Sequence, residues 1–84
     1  MGVTEDLADE LARDVIRAIE ATGDEDIIAE ITKVLGASSQ TAEEAFLTAL
    51  RVRRANLKAR ALLMERLRKF KAEKDAAANT GGAG

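Results

Sequence analysis

The residue types that most catalytic and metal sites need are rare in this chain. It contains no His, Cys, Tyr or Trp, so it can form neither a Ser–His nor a Cys–His pair and has no imidazole base. The densest group of acids is Asp24-Glu25-Asp26, whose oxygens are of the kind that bind Mg²⁺ or Ca²⁺. The triplet opens an apolar helical segment, where acids cap a helix and complement its dipole. We therefore expect no enzymatic activity, no metal site and no cofactor.

Polar side chains also lie between two helical patterns, just after a glycine. The pattern has an apolar residue before the glycine, a serine after it, a threonine that opens the next helix and two inward-facing residues beyond: Ile31, Leu35, Gly36, Ser38, Thr41, Ala45 and Phe46. Residues 31–46 thereby resemble the helix-turn-helix of bacterial repressors and antitoxin-type regulators. The resemblance implies that the second helix enters the major groove of DNA with its first residues against bases and phosphates.

Under that resemblance, Gln40 can read adenine and the neighbouring serines can hold phosphate. Basic side chains that support such contacts come from the helix that follows. The candidate nucleic-acid contacts are Ser38, Ser39, Gln40, Arg51, Arg54 and Lys58. Glu43 and Glu44 begin the same helix and repel the phosphate backbone, so a purely structural turn is the competing interpretation.

The charge of the chain is divided between its two halves. Residues 1–44 carry twelve of the fifteen acids and three bases, for a net charge of −9, whereas residues 45–84 carry ten bases and three acids, for a net charge of +7. A basic helix of this kind can track nucleic acid or lie on an anionic membrane, although we do not expect membrane binding. The acids of the first half can instead neutralise these bases, in the same molecule or in a second copy.

Three polar residues lie within or at the edge of the apolar face of the long basic helix: Arg53, Asn56 and Arg60. One interpretation is that the arginines bury their stems and keep their charged groups in water. The other is a polar layer that fixes register and the number of partners. A buried arginine then needs a carboxylate, which Asp9, Asp14 or Glu20 can supply.

Helical periodicity extends through almost the whole chain, and proline is absent. Apolar residues at three- and four-residue spacing predict helices at about 5–22, 25–35 and 42–76. These form a single domain over residues 1–76. The Gly- and Ala-rich residues 77–84 are expected to be disordered.

The ends of the predicted helices carry recognisable capping residues. Thr4 and Asp24 are the expected N-caps of the first two helices, and Gly23 and Gly36 their expected stops. Thr41 and Glu44 have the spacing of a capping box that opens the third helix.

The third helix is too long for the first two to cover. At 1.5 Å per residue it spans about 50 Å, against about 27 Å and 16 Å for the others. Its second half displays six large apolar residues that predict an interface with a partner: Leu57, Leu62, Leu63, Met64, Leu67 and Phe70. The predicted fold is therefore all-α, with two short amphipathic helices followed by one long basic helix, in a bundle completed by dimerisation.

Two functions follow from these features. The first is a small non-catalytic interaction protein (adaptor, chaperone, inhibitor or regulatory subunit) that binds a second copy or another helical protein through its long helix. The alternative is a dimeric helix-turn-helix transcriptional regulator. There is no transmembrane segment and no apolar signal core, so we expect a cytoplasmic protein.

Overall fold

The structure, a computed structural model, describes residues 2–83 and the side chains of residues 2–77. It contains three helices: α1 (Val3–Thr22), α2 (Asp26–Ser38) and α3 (Gln40–Ala83). No strand occurs in the described part of the chain. The prediction of an all-α fold with three helices is confirmed.

The chain divides into two compact units. Unit 1, Met1–Arg54, comprises α1, α2 and the first part of α3. Unit 2, Ala55–Gly84, comprises the rest of α3. The hydrophobic core lies in unit 1.

The core of unit 1 is built around Phe46, whose side chain is 0% exposed. The other fully or nearly buried residues of the cluster are Ala12, Val15 and Leu50, and Ala8 is also buried. Alanine at positions 8 and 12 leaves room for a close approach of the other helices, and the ring of Phe46 packs in the same cluster. The second helix contributes partly buried residues to this cluster: Ile27, Ile28, Ile31 and Leu35.

The first helix begins earlier than its sequence predicted. Its N-cap is Gly2, so the expectation that Thr4 caps it was wrong. The physical reason is Glu5, whose Oε2 accepts the backbone N–H of Gly2 at 2.8 Å and stabilises a helix start two residues earlier. The predicted stop is confirmed. Gly23 has the left-handed backbone (φ 73°), and its N–H donates to the Ile19 carbonyl.

Side chains of the α1–α2 turn satisfy its exposed backbone donors. The Thr22 hydroxyl accepts the Asp24 N–H at 3.2 Å, and Asp24 Oδ1 accepts the Asp26 N–H at 3.0 Å. Asp24 thus serves the first N–H of α2, as expected of a cap, while Glu25 occupies the cap position itself. The carboxylate of Glu25 is thereby left for another partner.

The junction of α2 and α3 differs from the prediction. The second helix continues through Gly36 to Ser38, so glycine does not end it. Gly36 instead allows close contact: a Cβ at this position would lie 3.1 Å from the Glu43 carboxyl group. Ser39 is the only residue between the helices, and its Oγ accepts the Ala42 N–H at 3.1 Å. The capping box at Thr41 was therefore wrong, because α2 reaches Ser38 and only Ser39 remains to cap α3.

The third helix begins at Gln40 and is assigned through Ala83. Residues 77–84 were expected to be disordered. The side chains of residues 78–83 and all of Gly84 lie outside the described part of the chain, so this expectation stays a prediction. Among the described residues, no helix combines the length and the apolar character that crossing a membrane requires.

Candidate functional site

Unit 2 displays its apolar side chains to solvent. Every described residue from Ala55 to Ala77 is exposed. This includes all six residues predicted to form a partner interface: Leu57, Leu62, Leu63, Met64, Leu67 and Phe70. Their exposed fractions run from 50% for Leu57 to 64% for Phe70. Large apolar groups so exposed over about four helical turns are unusual for a monomeric protein.

Five of the six interface residues share one face of the helix. At 3.6 residues per turn, they fall within an arc of about 140°. We call these five the apolar stripe: Leu57, Leu63, Met64, Leu67 and Phe70. Leu62 projects about 150° from the centre of that arc, on the opposite side of the helix.

Cations interrupt the apolar stripe. Arg60, Lys71 and Lys74 all lie within its arc. Asp75 lies at one edge of the arc, and Glu65 and Glu73 project elsewhere. All three cations are exposed. A partner that covers the stripe must therefore bring carboxylates as well as apolar side chains, because a buried unpaired cation is costly.

The three residues of the predicted polar layer have different surroundings in the structure. Arg53 in α3 donates two hydrogen bonds to Asp9 in α1, from Nε to Oδ1 at 2.6 Å and from an Nη atom to Oδ2 at 2.7 Å. This two-point pairing lowers the pKa of Asp9 below its ordinary value of 3.8, against the opposing effect of desolvation. It also raises the pKa of Arg53. Asn56 and Arg60 are exposed in unit 2.

A second arginine of α3 is engaged inside unit 1. An Nη atom of Arg54 lies 2.9 Å from both carboxylate oxygens of Glu25, at the start of α2. Together the two pairs tie α3 to α1 and to the α1–α2 turn. Among the described side chains, the three ion pairs that form all lie within unit 1, the third joining Arg13 and Asp14 at 3.6 Å.

The candidate nucleic-acid contacts lie around the α2–α3 junction and along α3. Ser38 ends α2, Ser39 caps α3 with its hydroxyl, and Gln40 is the first residue of α3. All three are exposed, as are Arg51 and Lys58. Arg54 is bound to Glu25 and is half-buried. The helices are thus separated by one residue, whereas a helix-turn-helix has a turn of about three or four.

Sequence reasoning missed an apolar groove in unit 1. Seven residues line it, from all three helices: Thr4, Leu7, Ala8, Leu11, Leu35, Ala42 and Phe46. Its volume is about 220 Å³. The spacing of α1 places Leu7 on its apolar face, but that this residue remains 60% exposed beside the groove is seen only in the structure.

Two acids of α1 lie close along the helix to leucines that line this groove. Four residues of α1, each separated by one helical turn or less from the next, fall within an arc of about 100°: Leu7, Glu10, Leu11 and Asp14. We call these four residues the α1 strip. Glu10 and Asp14 are exposed. Asp14 lies 3.6 Å from Arg13 and also interacts electrostatically with Arg53. The strip thus combines apolar groups with exposed carboxylates.

The acidic triplet of the α1–α2 turn has structural roles. Asp24 binds the Asp26 N–H, and Glu25 binds Arg54. Among the described residues, no group of three or more acids, histidines or cysteines is arranged to hold a metal ion.

Comparison with known proteins gives no further guidance. The chain matches no protein-family model, no curated protein and no solved structure.

Proposed function

We propose that this chain is a non-catalytic helical interaction protein that works through helix-on-helix contacts of α3. Its first partner is a second copy of itself, held through the apolar stripe. The observation that carries the proposal is the exposure of every described residue from Ala55 to Ala77, among them five large apolar residues on one face. Adaptors, chaperones, inhibitors and regulatory subunits all act through surfaces of this kind.

The physical argument rests on what the stripe gains when it is covered. Fully burying one Leu, Met or Phe side chain is worth about 1.5–3 kcal/mol. Five such residues on one face provide enough apolar surface to offset the cost of association, even though part of that surface is lost to imperfect packing. The helix itself also benefits, because most helical stability in proteins comes from packing of an apolar face.

A DNA-binding regulator is the competing function, and three contacts weigh against it. The Ser39 hydroxyl already accepts a hydrogen bond from Ala42, and Arg54 is paired with Glu25. The half-buried Glu43 lies beside Gly36, close to the end that would face the phosphates. Ser39 and Arg54 are thus used for structure, and the remaining candidates for contact with nucleic acid are Ser38, Gln40, Arg51 and Lys58.

Light scattering on the purified chain at tens of micromolar tests the proposal. We expect the unmodified chain to be a dimer. Leu63→Asp with Leu67→Asp should weaken dimerisation by about a hundredfold or more, because it places two charges in the covered face. Leu62→Asp is the control, since it makes the same kind of substitution once, on the opposite side of the helix, and it should leave the dimer intact.

A monodisperse monomer for the unmodified chain would contradict the proposal. If that monomer also bound DNA in a salt-sensitive manner that Arg51→Glu with Lys58→Glu abolished, the regulator would be the better explanation.

A further inference from the structure

The groove of unit 1 and the apolar stripe of unit 2 complement each other in charge. Unit 1 has a net charge of −6 and unit 2 a net charge of +4. Glu10 and Asp14 lie one helical turn beyond Leu7 and Leu11, the leucines that α1 contributes to the groove. Arg60, Lys71 and Lys74 lie within the arc of the stripe. Each surface therefore carries apolar side chains next to charges of the sign that the other lacks.

The size of the groove indicates what fits it. Its volume of about 220 Å³ lies below the range of about 300–1,000 Å³ that is usual for small-molecule sites. It is open and is lined almost entirely by apolar groups, so it suits one or two side chains presented by a helix. Phe70, Leu67 and Met64 are exposed side chains of this kind.

Pairing the stripe with itself is electrostatically unfavourable. Two copies would each bring Arg60, Lys71 and Lys74 into the contact. Of the three acids in unit 2 only Asp75 lies in the arc, at its edge, so the charged residues of each stripe keep a net charge of +2. Like charges that meet across an interface are destabilising. Pairing the stripe with the α1 strip instead sets cations against Glu10 and Asp14.

We propose that the apolar stripe of one copy docks in the unit 1 groove of a second copy, and that the second copy's stripe docks in the groove of the first. The exchange is reciprocal, so the assembly closes as a symmetric dimer instead of growing into a filament. This inference rests on the proposed function, because it names the surface that the stripe covers. Lys71 and Lys74 of one copy then pair with Glu10 and Asp14 of the other.

A charge-exchange experiment on the full chain tests the inference. One variant carries Glu10→Lys and Asp14→Lys, and the other carries Lys71→Glu and Lys74→Glu. All four positions are exposed, so both variants should fold, which circular dichroism checks. Each variant alone should dimerise at least about tenfold more weakly than the unmodified chain, because like charges then face each other in both copies of the contact.

Mixing the two variants should restore the dimer. In the mixed pair, the lysine-substituted α1 strip of one variant meets the glutamate-substituted stripe of the other. The second contact joins a native α1 strip to a native stripe, so opposite charges face each other in both contacts. Sedimentation velocity at equal concentrations should show a heterodimer of affinity within about threefold of the unmodified dimer. The control variant Glu20→Lys with Glu30→Lys makes the same change in net charge on exposed residues outside the α1 strip. It should leave dimerisation unchanged and gain nothing from mixing.

The possible failures are distinguishable. If the unmodified chain is monomeric, the proposed function itself fails. If Glu10→Lys with Asp14→Lys dimerises as well as the unmodified chain, the stripe has a different partner surface and only the inference fails. Two weakened variants that do not recover on mixing overturn it as well, because the two charged surfaces then do not meet.

Discussion

The two phenylalanines of the chain show how differently its two units use apolar residues. Phe46 in unit 1 is 0% exposed and lies in the core with Ala12 and Val15. Phe70 in unit 2 is 64% exposed. Both belong to the same helix and to similarly apolar faces, so local sequence alone does not account for the difference. What differs is that α1 and α2 pack against the part of α3 that lies in unit 1.

The charges of the two units differ in the same way. In unit 1, Arg53 and Arg54 are bound by Asp9 and Glu25, which lie far away in sequence and are brought close by the fold. In unit 2, the cations of α3 are exposed beside exposed leucines. Unit 1 thus buries a core and pairs two of the arginines of α3 within the chain, whereas unit 2 leaves its large apolar side chains and its cations exposed together.

The largest expected effect comes from making the same substitution in both units. Phe46→Ala should lower the free energy of unfolding by about 3–5 kcal/mol, because it leaves a cavity in the core. Phe70→Ala should leave the unfolding free energy of the monomer unchanged within about 0.5 kcal/mol, since it removes an exposed side chain. Urea titration followed by circular dichroism, at concentrations below dimerisation, measures both. Equal losses for the two variants would mean that unit 2 is packed within the monomer.

The smallest expected effect concerns the Asp9–Arg53 pair and its dependence on pH. Because the pKa of Asp9 is lowered in the folded chain, the pair contributes stability above the unfolded pKa near 3.8 and loses it as pH falls through the folded value. A double-mutant cycle with Asp9→Asn and Arg53→Gln should give a favourable coupling at neutral pH. That coupling should vanish below the pKa of Asp9. A coupling that persists in acid would show that the pair does not depend on the charge of Asp9.

The sequence was sufficient to predict features that depend on near neighbours. The apolar spacing gave three helices in order, and Gly23 was identified as a stop because a left-handed residue after a helix favours glycine. Gly36 matched the same rule and did not follow it. The reason is tertiary: Glu43 of the next helix lies where a side chain at position 36 would be. A pattern read along one helix does not contain that information.

The candidate site was predictable in part, for a related reason. Exposed apolar residues of unit 2 follow from the length of α3 compared with α1 and α2. The pairing of Arg53 did not follow, because the choice among Asp9, Asp14 and Glu20 depends on how α1 and α3 are offset along their axes. The groove was missed for the same reason, since it needs Leu7, Leu35 and Phe46 from three helices.

Amide hydrogen exchange at two protein concentrations tests the central claim most directly, namely that unit 2 is covered by a second chain. In dilute solution, amides of residues 2–54 should exchange slowly and those of residues 55–77 quickly, because the core that the described residues form lies in unit 1. At tens of micromolar, residues 55–77 should gain protection, and Leu63→Asp with Leu67→Asp should remove that gain. Protection of residues 55–77 that is the same at both concentrations, or unaffected by the two substitutions, would contradict the account.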